Sequence, residues 1–243
     1  MVRETNDAGA IYLGYDQTAR GNVVRYNIVQ DVVARVPDND GKPRYQAFGI
    51  YLDDMNSGTT VYGNVMRRCS GGMVFGGGRN NTIVNNVFES NRVDLFADAR
   101  GLNSPQKFYD LWAAQFSRIN PNTAPFNQYP GLAGFLDDEP LYPKYNVFTN
   151  NVFTKSSTQT MTWHDVLTGS TPRGAKMVNF SSNFVGENPG FMNPAANDYR
   201  LLPGANAASS GFQSLDASTS VGLQITDGRK EVPTMEGVYP YVP

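Results

Sequence analysis

The sequence predicts an all-β protein, a right-handed parallel β-helix wound from a single chain, with about five coils and a helix-containing loop insertion. Two repeated motifs and their spacing support this class. In the first motif, an apolar residue stands three positions before an asparagine and another stands directly after it. The second motif, a short apolar run, precedes each copy of the first. The asparagines of the first motif are Asn27, Asn64, Asn86, Asn151 and Asn183.

The length of the repeat separates two repeat architectures. Asn64 and Asn86 are 22 residues apart, a step that fits either a leucine-rich repeat or one coil of a parallel β-helix. The leucine-dominated consensus of the first class is absent. Asparagine at one position of every coil fits the second class, because stacked side-chain amides pair with backbone groups at a turn. Two short strands per repeat, rich in β-branched and aromatic residues, are therefore expected.

Interruptions of the period define the organisation of the single expected domain, residues 1–243. Coils are expected at 6–100 and 144–190, with an insertion at 101–143 between them. Residues 191–243 are expected to form an irregular end piece, which covers the open core, and an extended tail. No comparable segment precedes the first coil, so the N-terminal end is expected to be covered by further coils or by an oligomer partner.

The insertion carries a helix signal. Ser104 and Pro105 are suited to the N-cap and the first helical position. Apolar residues then recur at helical spacing, at Phe108, Leu111, Trp112 and Phe116. A short amphipathic helix that packs on the coils is therefore expected. Its aromatic side chains are expected to pack in the core in preference to forming a platform for a ligand.

Composition excludes two classes of partner. The net charge of −2 lacks the basic excess of a nucleic-acid binder. No apolar run reaches the roughly 18 residues that a membrane span needs, and no signal peptide is expected at the start of this sequence.

No cofactor and no metal are expected. A Ca²⁺ site at Asp54 and Asp165 stays open, because calcium takes oxygen ligands.

Alternation along the second motif predicts a chemical site. Ile50 and Leu52 are expected to point inward, so the residues that alternate with them point outward. These outward residues are an aromatic residue and, two positions after it, an aspartate. Two coils present this pair: Tyr51 with Asp53, and Phe96 with Asp98. At ~4.8 Å per coil the two aspartate backbones lie roughly 10 Å apart, and Gly76 between them is expected to leave an open notch.

Two carboxyl groups at such a separation suit glycoside hydrolysis, in which the pair lies about 5 to 9.5 Å apart. Asp53 and Asp98 are therefore the predicted catalytic pair, with Asp54 and Asp94 as competitors. Tyr51 is predicted to stack on a sugar face.

Further side chains are predicted to bind substrate. Phe96 joins the aromatic surface, and Arg79 and Arg100 are suited to a carboxylated or sulfated sugar. A structural bond of these arginines to Asp98 or to loop carbonyls is an equally strong expectation. His164, the one histidine of the chain, would bind substrate or tune the pKa of Asp98. Trp112 on the insertion helix is the last of the predicted substrate-binding residues.

These residues carry a family resemblance. The segments Gly49–Asp54, Gly76–Asn81 and Asp98–Gly101, with Asn6–Tyr12, resemble right-handed parallel β-helix proteins that process carbohydrates, especially glycoside hydrolase family 141. The resemblance implies an aspartate pair as catalytic machinery, a polysaccharide or oligosaccharide as partner, and a secreted or periplasmic location. Members of that family carry further N-terminal coils that this chain lacks.

Three functions remain open on sequence grounds. The first is a glycoside hydrolase acting on a plant or microbial polysaccharide through Asp53 and Asp98. The second is a polysaccharide lyase, in which a base removes a proton beside a uronate carboxylate; the acidic outward column counts against it. The third is a non-catalytic glycan-binding β-helix fragment.

Overall fold

The computed structural model describes residues 6–34, 46–154, 159–163 and 169–216, with only the backbone described for 159–163. It is a parallel β-helix of five coils, and each coil adds one strand to each of three five-stranded sheets. The first sheet contains, in spatial order, β1 (Ala8–Leu13), β4 (Ala47–Leu52), β7 (Gly71–Gly76), β10 (Val93–Asp98) and β13 (Gln159–Trp163).

The other two sheets are built from shorter strands. The second sheet contains β2 (Val23–Arg25), β5 (Thr60–Tyr62), β8 (Thr82–Val84), β11 (Asn146–Thr149) and β14 (Val178–Ser181). The third contains β3 (Ile28–Gln30), β6 (Val65–Arg67), β9 (Val87–Glu89), β12 (Val152–Thr154) and β15 (Phe184–Gly186). Every pairing within the three sheets is parallel.

Each coil has three strands, which corrects the expectation of two. The asparagine motif bends in its middle, because the residue before each asparagine lies in the left-handed region of the backbone map. These residues are Tyr26 (φ 55°), Gly63 (φ 63°), Asn85 (φ 58°), Asn150 (φ 56°) and Ser182 (φ 52°). A single left-handed residue bends an extended chain sharply, so the motif contributes one strand on each side of the bend.

The five motif asparagines form a continuous hydrogen-bonded stack, here called the asparagine ladder (Asn27, Asn64, Asn86, Asn151 and Asn183). At each step the main-chain N–H and the Nδ2–H of one asparagine donate to Oδ1 of the next, at 2.9 to 3.0 Å. The amide of Asn86 also donates to the carbonyls of Val61 and Val84. The ladder therefore satisfies backbone groups at a buried corner, as the repeat predicted.

Two other corners use the same device, which the sequence analysis missed. The N–H of Thr59 donates to Oδ1 of Asn81, whose own N–H donates to Oδ1 of Asn146, both at 3.0 Å. At the third corner the N–H of Cys69 donates to Oδ1 of Asn91 at 2.9 Å. All three corners of the coil thus depend on buried asparagine side chains.

The insertion between β10 and β11 is helical where it contacts the coils. It contains α1 (Arg100–Asn103), α2 (Pro105–Phe116), α3 (Pro130–Ala133) and the 3₁₀ turns Phe126–Gln128 and Phe135–Asp137. As predicted, α2 begins at Pro105 and buries its aromatic side: Phe108 and Trp112 pack with Phe135 and with Met55 of the coils. No helix in the described residues is long and apolar enough to cross a membrane.

The end piece lies along the side of the coils, and this corrects the expectation that it covers the open core. It contains β16 (Phe191–Asn193), an antiparallel partner β17 (Asp198–Leu201), and the 3₁₀ turns Pro194–Ala196 and Asn206–Ser210. Phe191, Tyr199, Phe212 and Leu215 pack on Val65, Val87 and Val152 near the asparagine ladder. The tail expected after this piece lies outside the described residues from 217 onward.

Candidate functional site

The outer face of the first sheet carries the predicted column of side chains. In β4, Ile50 and Leu52 are fully buried in the core, so Tyr51 lies on the opposite face of the sheet. Strand registers align Tyr51 with Tyr12 on one side and with Val74 on the other. Val74 aligns in turn with Phe96. The alternation inferred from the sequence therefore holds across four coils.

The predicted notch between the two aspartates is filled. Asp98 is in register with Gly76. A Cβ atom added to Gly76 would lie 2.8 Å from Cζ of Arg100, so the guanidinium occupies the space that a side chain at position 76 would need. The expected open notch flanked by two carboxylates is therefore occupied by the cation of Arg100.

Arg100 joins three carboxylates, and this set is called the arginine cluster (Arg100, Asp53, Asp54 and Asp98). Its Nε and Nη2 donate to the two oxygens of Asp98 at 2.9 and 2.8 Å. Its Nη1 donates to Asp53 and, at 3.3 Å, to Asp54. Burial opposes the charge of Arg100, but hydrogen bonding to Asp98 and the charges of Asp98 and Asp53 outweigh it, so its pKa is raised.

Asp53 lies behind Arg100 and is only 5% exposed. Its Oδ2 accepts from the Tyr12 hydroxyl at 2.5 Å, and its Oδ1 accepts from the backbone N–H of Asp54 at 2.8 Å. Burial, followed by the hydrogen bond to Asp53, raises the pKa of Tyr12. Lys107 on α2 donates to Asp54 at 2.6 Å, so the cluster also ties the insertion to the coils.

A pocket of about 350 Å³ opens on this face beside the arginine cluster. Its lining combines aromatic, charged and small polar side chains: Asp7, Gln46, Phe48, Tyr51, Ser70, Val74, Arg92, Val93, Phe96, Asp98 and Arg100. The Tyr51 hydroxyl donates to Oδ1 of Asp7 at 2.8 Å, which fixes one wall. Burial raises the pKa of Tyr51, as does the charge of Asp53, so this hydroxyl stays a hydrogen-bond donor.

The pocket collects four of the predicted site residues. Tyr51, Phe96, Asp98 and Arg100 line it, whereas Asp53 does not. His164 lies outside the described residues. A catalytic role for Asp53 or Asp98 stays a prediction.

Arg79 and Trp112 do not line the pocket, which corrects their assignment to substrate binding and bears out the structural alternative expected for each, a bond to a loop carbonyl and a place in the core. Arg79 is 1% exposed beneath the insertion, where it donates to the carbonyl of Asp138 at 3.0 Å and pairs with its carboxylate. Trp112 is fully buried between Phe108 and Phe135. Both side chains hold the insertion on the coils and are screened from any ligand.

Seven lining residues were not among the predicted site residues: Asp7, Gln46, Phe48, Ser70, Val74, Arg92 and Val93. Asp7 and Arg92 each stand directly before a strand of the first sheet, and Phe48 is the second residue of β4. Only the column at the ends of these strands was used to predict the site. Inspection of the polar residues at the strand starts would have added Asp7 and Arg92, but the contact of Asp7 with Tyr51 depends on how the coils stack.

Asp94, named above as a competitor, lies away from the pocket in the interior. Its side chain is fully buried, and its Oδ1 accepts from Nδ2 of Asn91 at 3.0 Å. Among the described residues nothing donates to its Oδ2. Burial raises the pKa of Asp94 to about 8, so this carboxyl group is largely protonated at neutral pH.

The comparisons with known proteins found one likeness. The model of a family described as "Periplasmic copper-binding protein (NosD)" matches residues 2–110, a little under half of the chain, from before β1 into α2. Neither the curated proteins nor the solved structures yielded a match. The match and the three parallel sheets agree on an all-β parallel β-helix. The finer likeness to glycoside hydrolase family 141 has no support in these comparisons.

A copper site was tested against the side chains of the matched range. In the described residues no three His, Cys, Asp or Glu side chains are grouped to hold a metal ion. Cys69 is buried, its Sγ lies 3.3 Å from the Arg67 carbonyl, and burial raises its pKa to about 11. A thiol that stays protonated is a poor metal ligand. The described residues therefore do not fit a copper site.

Proposed function

We propose that this protein is a glycan-binding β-helix that works outside the cytoplasm, with the pocket on the first sheet as its carbohydrate site. One observation carries the proposal: the pocket sets the rings of Tyr51 and Phe96 beside the ion pair of Asp98 and Arg100. Ligand sites characteristically join apolar and aromatic walls to a few fixed polar groups. An aromatic ring covers the C–H face of a sugar, while carboxylate and guanidinium bind its hydroxyl groups.

The dimensions of the pocket suit one or two sugar rings of a longer chain. Its volume of about 350 Å³ lies at the small end of the range of ligand pockets. The pocket opens on the outside of the coils, so an internal segment of a polymer can bind there and no chain end has to enter. The location outside the cytoplasm is supported by the periplasmic description of the matched family.

Glycoside hydrolysis is the second candidate, because Asp98 lines the pocket and is linked to Asp53 through Arg100. A glycosidase needs two carboxyl groups that both reach the scissile bond, about 5 to 9.5 Å apart. Asp53 is covered by Arg100. Asp7 lines the pocket, but it stands three coils from Asp98, roughly 14 Å along the stack at ~4.8 Å per coil. Binding therefore has the stronger support.

The test measures glycan binding by matched variants. The wild-type protein is screened on an array of plant and microbial polysaccharides, and the best ligand is titrated calorimetrically. Phe96→Ala should weaken binding about tenfold or more, the loss of roughly 1.4 kcal/mol of contact. Tyr109→Ala removes a more exposed aromatic ring on α2, away from the pocket, and should leave the affinity unchanged.

Two outcomes would contradict this function. If the wild-type protein binds no glycan, or if both variants bind as tightly as wild type, the pocket is not a carbohydrate site. Product analysis in the same samples separates the enzymatic alternatives. New reducing ends that disappear in Asp98→Asn would show hydrolysis, and unsaturated products absorbing in the ultraviolet would show a lyase.

A further inference from the structure

An exposed aromatic ring lies directly beside the pocket, on the outer face of the first sheet. Tyr12 of β1 is aligned with Tyr51 of β4, and their rings meet edge to face with centroids 5.2 Å apart. Tyr51 packs in the same way on Phe48, also at 5.2 Å. Because Phe48 and Tyr51 line the pocket, Tyr12 continues its aromatic wall onto the first coil.

Tyr12 has the reverse of the usual orientation of a surface tyrosine. Such a residue normally buries its ring and keeps its hydroxyl in water. The Tyr12 hydroxyl instead donates to Oδ2 of the buried Asp53, and burial is the largest cause of its raised pKa. The residue as a whole is nevertheless 43% exposed. The accessible part of Tyr12 is therefore chiefly its apolar ring, which is the part that a ligand can cover.

Two contacts hold this ring in place before any ligand binds. Its hydroxyl is fixed on Asp53, which is itself held by Arg100 and by the N–H of Asp54. Its edge packs on Tyr51. A side chain that is already ordered loses little conformational entropy on binding, so the ring is prepared as a stacking surface.

The column of outward side chains gives a bound polymer its direction. Tyr12, Tyr51, Val74 and Phe96 stand in register on four successive coils. At ~4.8 Å per coil, Tyr12 and Phe96 are roughly 14 Å apart along the stack. This distance exceeds the one or two sugar rings that fit the pocket. A chain that fills the pocket and also reaches Tyr12 therefore runs along the axis of the coils, across the strands.

We propose that the ring of Tyr12 is an outer subsite, which stacks on a sugar ring next to those in the pocket. The ligand is then a linear glycan of at least three rings, bound along the axis of the coils. This inference rests on the proposed carbohydrate site, to which it adds one residue and a requirement for chain length.

The test measures affinity against chain length. The best glycan for the wild-type protein is prepared as a size series from disaccharide to hexasaccharide, and each fragment is titrated calorimetrically into the full chain. Wild-type affinity should rise once a fragment is long enough to leave the pocket. Tyr12→Ala should bind the long fragments about tenfold more weakly, a loss of roughly 1.4 kcal/mol, and should bind the disaccharide as wild type does.

Two matched variants isolate the ring. Tyr109→Ala removes a ring of nearly equal exposure, 42%, on α2 away from the pocket, and should keep the wild-type rise with length. Tyr12→Phe retains the ring but loses the bond to Asp53, and should keep the tighter binding of long fragments. If Tyr12→Phe loses as much affinity as Tyr12→Ala, the bond to Asp53 and not the ring carries the effect, and the proposal is overturned.

The outer subsite and the proposed function fail in different ways. If Phe96→Ala weakens binding at every length while Tyr12→Ala matches wild type throughout, the pocket remains a carbohydrate site and the outer subsite is wrong. A wild-type protein that binds no fragment would overturn both. Circular dichroism checks the fold of each variant, and Tyr12→Leu takes the place of Tyr12→Ala if the latter does not fold.

Discussion

The asparagine ladder and the arginine cluster both bury polar side chains, but they do so in different ways. The ladder uses neutral amides, and the same pair of hydrogen bonds recurs from coil to coil. The arginine cluster uses charges, does not recur from coil to coil, and lies where the insertion leaves β10. Neutral groups can be repeated without accumulating charge, whereas a cationic centre needs several carboxylates around it. The regular corner thus serves the fold, and the unique cluster stands beside the pocket.

The largest effect is expected from removing the cation. Arg100→Met leaves Asp53, Asp54 and Asp98 without their shared partner, and breaking a buried ion pair on one side costs about 3 to 5 kcal/mol. Lys107→Met is the control, because Lys107 is mostly exposed and such pairs contribute about 1 kcal/mol or less. Denaturant unfolding at neutral pH measures both. Equal losses of unfolding free energy in the two variants would show that the buried Arg100 contributes no more to stability than the exposed Lys107.

The ladder should be nearly as sensitive in its middle. Asn86→Leu removes donors to the carbonyls of Val61 and Val84 and the acceptor for Asn64. Leaving buried groups unpaired costs about 1 to 3 kcal/mol each, so a loss of roughly 3 kcal/mol in unfolding free energy is expected. Asn27→Leu, at the half-exposed end of the ladder, should lower the unfolding free energy clearly less. A larger loss for Asn27→Leu than for Asn86→Leu would argue against a cooperative ladder.

Asp94 tests the rule that the interior accepts neutral polar groups. Its pKa is raised from 3.8 to about 8 in the folded protein. The folded state therefore holds a proton that the unfolded state releases, so this contribution to stability is present below about pH 4 and is lost as the pH rises to about 8. Asp94→Asn should match wild type near the acid limit and exceed it at alkaline pH by about 2 kcal/mol or more.

The measurement is the unfolding free energy of both proteins across this pH range. Wild type should lose stability relative to Asp94→Asn, and the difference should level off above about pH 8. A constant difference between the two proteins at every pH would mean that Asp94 does not titrate in this interval.

The smallest effect is expected at an exposed ion pair. Arg68 and Asp31 lie in neighbouring coils, bond at 2.8 Å, and both remain accessible to water. Surface pairs contribute about 0 to 1 kcal/mol, so Arg68→Ala should shift the unfolding midpoint only slightly. High salt should abolish even this difference, whereas a loss comparable to that of Arg100→Met would remove the contrast drawn between buried and exposed charges.

The sequence predicted the features that repeat. Asn64 and Asn86 are one coil apart, so their stacking followed from the period alone, and the inward direction of Ile50 and Leu52 followed from alternation. The third strand of each coil was missed because the bend depends on a left-handed residue that is glycine in only one motif, at Gly63. Asn85 and Asn150 carry a weaker signal of the same kind, and Tyr26 and Ser182 carry none.

The site was predictable only in part, because its contacts cross between coils and the insertion. The outward face of Tyr51 and Phe96 followed from strand alternation. The bond of Arg100 to Asp98 was one of the two expectations for this arginine, and it is confirmed. Its further reach to Asp53, across Gly76, could not be predicted, since it depends on the bend at which α1 begins. The assignment of Arg79 and Trp112 to substrate binding failed for the same reason, because only the docked insertion buries them.

The end piece makes the two ends of the molecule depend on each other. After the fifth coil it runs back along the side: Tyr199 donates to Glu89 at 2.7 Å, Gln213 bonds Asn85 at 2.6 Å, and Leu215 packs with Tyr26 of the first coil. Repeat proteins without such a segment fray from their ends, one unit at a time. Here the loss of the first coil also removes contacts of the last segment. Hydrogen exchange should therefore report cooperative opening of the whole β-helix rather than stepwise fraying from one end. Folding should be slow, because these contacts join residues far apart in the sequence.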